Sequence, residues 1–144
     1  FSASTPEDDG SAQEVNLEKG VAALDNADWS EAIHHLKKAV KADSKNADAH
    51  NYLAYAYRRS GQLDPAFEHY GKALSLNPKH RGANEYIGQA YLLIGNLDKA
   101  QEHLTALKKI CGSVCRETST LKKAIASYKE GNDKQSLLEN DSNW

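Results

Sequence analysis

The chain contains no methionine, two cysteines and three prolines in 144 residues. Two cysteines are too few for a disulfide-stapled mini-domain or a four-cysteine zinc site. Three prolines and nine glycines leave long uninterrupted stretches, which favours helix. An excess of one charge sign is also missing: 18 Lys+Arg stand against 20 Asp+Glu, a net charge of -2. Nucleic-acid binders need a basic excess to neutralise phosphates, so no nucleic-acid partner is expected. No apolar stretch approaches the roughly 18 residues that cross a bilayer, which argues against direct membrane insertion. The length fits one domain. Because the chain starts at Phe1 without a methionine, a removed secretory leader is the expectation, and a removed tag the alternative.

What is present is self-similarity with a period of 34. Ala32, Ala66 and Ala100 keep that spacing, as do Trp29, Leu63 and Leu97, and Leu36, Tyr70 and Leu104. The histidines His35, His69 and His103 obey it too, and Ala27, Gly61 and Gly95 stand five residues before each alanine. Fixed-period repeats of this length mark stacked arrays, and here they run 13–46, 47–80 and 81–114. Residues 1–12 are small, acidic and without apolar period; 131–144 are polar apart from Leu137, Leu138 and Trp144. Both read as flexible termini.

Each unit splits into two helices. In the second, Ala49, Leu53, Ala56 and Tyr57 fall on one helical face, and Ala66, Tyr70, Ala73 and Leu74 on another. Gly61 separates them, since glycine accepts the left-handed conformation at a helix end. Asp64 is the expected N-cap, with Pro65 at the first helical position, and Ser30 and Asp98 take the capping place in the other units. Asn77-Pro78 ends the second unit. Gly20 and Gly88 lie inside first helices, where glycine costs about 1 kcal/mol against alanine. A neighbouring helix pressing close would account for them. Leu121, Ala124, Ile125 and Tyr128 share one face of a final segment, 115–130, read as a capping helix.

These residues resemble the tetratricopeptide repeat (TPR) family, whose pattern is W-x2-L-G-x2-Y, then A-x3-F, then P. The second unit reads His50-x2-Leu53-Ala54-x2-Tyr57, Ala66-x3-Tyr70, Pro78, and the third Asn84-x2-Ile87-Gly88-x2-Tyr91, Ala100-x3-Leu104, with Gly112 for the proline. The first is the most divergent, with Asn16, Lys19, Gly20, Ala23, Ala32-x3-Leu36 and Ser44. The run from His80 through Cys111 and Cys115 to Tyr128 also resembles a group of small exported bacterial repeat proteins. The resemblance implies an all-α, right-handed superhelix of three helix pairs plus the capping helix. It also implies a non-catalytic role, binding a partner protein or peptide in a concave groove. By register, that groove takes Leu17, Glu18, Val21, Leu24 and Asp25 from the first unit. The second unit supplies Asn51, Tyr52, Tyr55, Arg58 and Arg59; the third supplies Glu85, Tyr86, Gln89, Leu92 and Leu93. The basic clamp by which some family members hold C-terminal carboxylates is absent, because its positions carry Leu17, Val21, Tyr52, Gly82 and Tyr86.

Cys111 and Cys115 flank the corner between the third unit and the capping helix. They read as a disulfide, with two free thiols or a redox-active pair as alternatives. With the resemblance, the disulfide and the start at Phe1 favour a periplasmic or otherwise exported location over a cytoplasmic one. The histidine column reads as polar surface filling, because zinc ligands must lie about 2 Å from the metal and the repeat spacing separates these residues. No metal ligand set, cofactor or catalytic motif is expected. Two other functions stay open: redox or metal handling through Cys111, Cys115 and the histidines, and self-assembly into a homo-oligomer. Membership of a larger, membrane-associated complex is a further option.

Overall fold

The computed structural model describes residues 9–131, and every regular element among them is an α-helix. In order these are α1 (Asp9–Asp25), α2 (Trp29–Ala42), α3 (Ala47–Arg59), α4 (Leu63–Leu76), α5 (Arg81–Leu93), α6 (Leu97–Cys111) and α7 (Arg116–Lys129). The chain divides into two compact units between Leu76 and Asn77. α1 starts at Asp9, before the boundary expected at residue 13. The rest of the expected N-terminal arm, and the tail with Leu137, Leu138 and Trp144, lie outside the described residues.

In the first unit α1 pairs with α2 and α3 with α4, and α3 also packs on α2 and α1. The apolar faces read from the period are the ones that pair: Leu36, Ala49, Leu53, Ala56, Ala66, Tyr70 and Ala73 are fully buried. Burying one leucine contributes about 1.5–3 kcal/mol, so each hairpin rests mainly on this contact.

The turns inside the three hairpins repeat one hydrogen-bond design. Gly61 N–H donates to Arg58 O and Gln62 N–H to Tyr57 O; Gly95 and Asn96 do the same toward Leu92 O and Tyr91 O. In the first hairpin the donors are Ala27 and Asp28, toward Leu24 O and Ala23 O. The design needs a left-handed residue, which Gly61 supplies at φ 85° and Gly95 at φ 80°; Ala27 adopts it at φ 57° despite its Cβ.

The next residue in the chain then does the capping. Asp28 accepts from Glu31 N–H and Asn96 from Lys99 N–H. The expected caps Ser30, Asp64 and Asp98 instead sit inside the first turns of α2, α4 and α6. The turn geometry aims the earlier side chain at the free N–H groups. Pro65, also in a first turn, removes an N–H that has no intrahelical partner.

In the second unit α7 packs on both α5 and α6. Leu92, Ala100, Leu104, Leu107, Leu121, Ala124 and Ile125 form one core, with Tyr91, Leu93, Leu97, Cys111 and Tyr128 against it. α7 is the expected capping helix.

The helical glycines mark close approaches. A Cβ on Gly20 would stand 2.5 Å from Leu36 Cγ, and one on Gly88 would stand 2.7 Å from Leu121 Cδ2.

Candidate functional site

On α1 the 3.6-residue period splits one face into an inner and an outer edge. Leu24 turns inward and is 2% exposed. Leu17 and Val21 are half-buried, while Glu18, Ala22 and Asp25 are exposed. Tyr52, half-buried on α3, meets them. Leu17, Glu18, Val21, Ala22, Asp25 and Tyr52 line a cavity of about 430 Å³. Its floor is carbon, from two aliphatic side chains, a methyl group and a phenol ring; its rim carries two carboxylates. Burial first, and the Asp48 carboxylate second, push the Tyr52 phenol above its usual pKa. Lys19 is the sole basic residue of α1, against Glu14, Glu18 and Asp25.

Next along α3 the side chains are committed to one another. The Arg59 guanidinium lies 4.8 Å from the Trp29 ring centroid, and its Nη1 donates to the Tyr55 hydroxyl at 2.7 Å. Trp29 meets Tyr55 edge to face at 6.1 Å, and the Arg58 guanidinium lies 5.2 Å from the centroid of the same tyrosine. Cation–π contacts of this kind gain strength when desolvated. Tyr55 and Arg58 are 0% exposed.

The face assigned by register is therefore smaller than the sequence implies. Leu24, Asn51, Tyr55, Arg58, Glu85, Tyr86, Gln89 and Leu92 are buried. Leu93 packs against the core of the second unit. Gln89 Nε2 donates to Glu85 Oε2 at 2.8 Å, so those two polar groups answer each other. A partner meeting this surface reaches Leu17, Glu18, Val21, Asp25, Tyr52 and the edge of Arg59. Heptad-like register shows which side of a helix faces away from its hairpin partner. It does not count the further neighbours that close over that side.

The histidine column has a role that surface filling misses. His35, His69 and His103 each reach back nineteen residues to the preceding helix, with Nδ1 3.2 Å from Asn16 Oδ1, 3.0 Å from His50 Nδ1 and 3.0 Å from Asn84 Oδ1. They tie the two helices of each hairpin together. The partners Asn16, His50 and Asn84 are themselves 34 apart, which is the signal that could have exposed the tie. His50 Nε2 donates to Ser44 O at 2.9 Å, as Asn84 Nδ2 donates to Pro78 O at 3.1 Å. With both rings neutral, His50 Nδ1 is then the acceptor and His69 Nδ1–H the donor between them. Burial, then the facing His50, then Lys72 lower the His69 pKa to about 4. Burial likewise lowers that of His103.

The corner between α6 and α7 brings Cys111 and Cys115 together with their sulfurs at bonding distance and their Cα atoms 5.9 Å apart. The Thr118 hydroxyl, buried beneath, lies 3.0 Å from Cys115 Sγ. Ligand atoms of Cys111, Cys115 and Glu117 fall within 4.8 Å of one another, the one grouping among the described residues with enough donors near enough for a metal ion. Joined sulfurs are not thiolates, so in this form the group offers a single carboxylate. No described helix is long and apolar enough to cross a membrane.

Two models of one family match the sequence, both described as tetratricopeptide repeat, over residues 17–79 and 60–110. Among proteins with curated descriptions, none matches. Several solved structures share the fold. The Arabidopsis OM64 TPR domain is 21% identical with a TM-score of 0.77, over 84% of this chain and 99% of that one. The TPR2B domain of yeast Sti1, in complex with pHsp70, is 16% identical with a TM-score of 0.76, over 84% and 98%. The first TPR domain of Spaghetti (RPAP3), bound to the HSP90 peptide SRMEEVD, is 23% identical with a TM-score of 0.73, over 83% and 94%.

Proposed function

The chain belongs to the tetratricopeptide repeat family, and we propose that it is a non-catalytic protein-binding module, an adaptor or accessory subunit. It seats a partner peptide or helix on the part of its first-helix face that stays open. The observation that carries this reading is the cavity on α1 and α3, where Leu17, Val21 and Tyr52 offer apolar area beside charged groups. Tyrosine and leucine contact surrounded by polar groups is the make-up of protein interfaces. The Sti1 and RPAP3 domains, with pHsp70 and an HSP90 peptide in their complexes, support it by likeness of fold.

The test is affinity capture from the native organism, with wild type and the double variant Leu17→Ala, Tyr52→Ala run side by side. A protein held by the wild type and lost by the folded variant is expected. Equal capture by both would overturn the assignment. Mass measured in solution at two concentrations separates a foreign partner from a second copy of this chain.

An exported, oxidising location is part of the same proposal. The Cys111–Cys115 geometry supports it, because disulfides persist in oxidising compartments. Titration of the denatured, unreduced protein should find no free thiol; two free thiols would remove the argument. If they are free, redox or metal handling at Cys111, Cys115 and Glu117 becomes the reading to test, by metal analysis of the native protein.

A further inference from the structure

We infer that the cavity on α1 and α3 takes an apolar side chain flanked by lysine or arginine, so that the partner segment is cationic. This rests on the groove reading above and names the chemistry of what fills it. Leu17, Val21, Ala22 and Tyr52 make a floor that accepts a leucine- or phenylalanine-sized group, in a space of about 430 Å³. Glu18 and Asp25 stand on its rim, and both are exposed. They lie seven residues apart on one helical face, about 10 Å along the axis. That spacing suits positive groups on either side of a buried anchor.

Two further carboxylates stand near the rim. Glu14 lies one turn before Glu18, and Asp48 acts on the Tyr52 hydroxyl from α3. On α3 the cations Arg58 and Arg59 lie outside the cavity lining and stack on Tyr55 and Trp29. Lys19 neighbours Glu18 but stands about 100° round the helix from it. An acidic peptide such as the SRMEEVD held by the RPAP3 domain would bring like charge to this rim.

The experiment uses the full chain and three capped tetrapeptides: Lys-Leu-Phe-Lys, Gln-Leu-Phe-Gln and Glu-Leu-Phe-Glu. Binding is followed by NMR through the amides of Val21, Ala22 and Tyr52. The lysine peptide should bind tightest and the glutamate peptide weakest, with about a tenfold gap at low salt, since exposed pairs each contribute only about 0.2–1 kcal/mol. The gap should narrow in 0.5 M salt, where screening acts within a few ångströms. The double variant Glu18→Gln, Asp25→Asn should bring the three affinities within about twofold of one another.

Equal affinities, tighter binding of the glutamate peptide, or shifts confined to other residues would each overturn the inference. So would the absence of shifts with all three. Failure of the groove reading shows itself separately, as partner capture that survives Leu17→Ala, Tyr52→Ala.

Discussion

Ala27 holds at φ 57° a conformation that Gly61 and Gly95 hold in the matching turns. A Cβ in the left-handed region costs roughly 1 kcal/mol. Ala27→Gly should therefore raise stability by about 1 kcal/mol, read as a higher urea midpoint with an unchanged slope. The His50–His69 pair is a second local conflict. Two imidazoles with their Nδ1 atoms 3.0 Å apart fit together only while one of them accepts. The other repeats use asparagine where His50 stands, and Asn84 shows that an amide there can bond the carbonyl six residues back. His50→Asn should keep the fold intact at pH 7 and raise the His69 pKa from about 4, because the facing imidazole is its second-largest cause. NMR titration of the His69 ring checks this. Burial remains, so the pKa should stop short of the value of about 6.5 found in free peptides.

Helix α7 sits so close to α5 that only glycine fits at position 88. Alanine there would gain about 1 kcal/mol of helix propensity. It would also press a methyl group into Leu121, which is fully buried, and overpacking of that kind costs about 1–3 kcal/mol. Gly88→Ala should come out destabilised by about 1 kcal/mol in denaturant melts, and Gly88→Ala with Leu121→Ala should show non-additive coupling. At the α6–α7 corner, Cys115→Ser should cost about 2 kcal/mol, the chain-entropy value for a five-residue loop, in melts run without reductant. The hairpins, their order and the capping helix were legible in the sequence, because a 34-residue period repeats both the apolar faces and the turn residues. Helix starts were read two residues late. Ser30, Asp64 and Asp98 have the right chemistry for a cap, and only the turn geometry shows that Asp28 and Asn96 reach the N–H groups first.

Acid should loosen the whole protein before it reaches the carboxylates. His69 and His103 have pKa values below the ordinary histidine value because burial disfavours their charged forms. Unfolded, both would bind protons below about pH 6.5. Between there and about pH 4, where His69 itself titrates, the unfolded chain holds more protons, so stability falls as pH falls. Urea midpoints from pH 7 to pH 4 should decline across that window, and His103→Gln should flatten part of the decline. The candidate surface was less legible than the fold. Five residues named by register, Leu17, Glu18, Val21, Asp25 and Tyr52, do line one cavity, but Tyr55 and Arg58 have the composition of a binding hot spot while being spent on internal stacking. Depth of burial is a property of the assembled helices and leaves no periodic trace. That same stack lends the protein an optical gauge. Trp29 is one of two tryptophans, and its indole lies 4.8 Å from the Arg59 guanidinium and 6.1 Å from the Tyr55 ring. With Trp144→Phe removing the other indole, tryptophan emission, excited at wavelengths that tyrosine does not absorb, would come from this corner alone. A guest pressing on Tyr52, one helical turn from Tyr55, would announce itself as a change in colour and brightness without any attached dye.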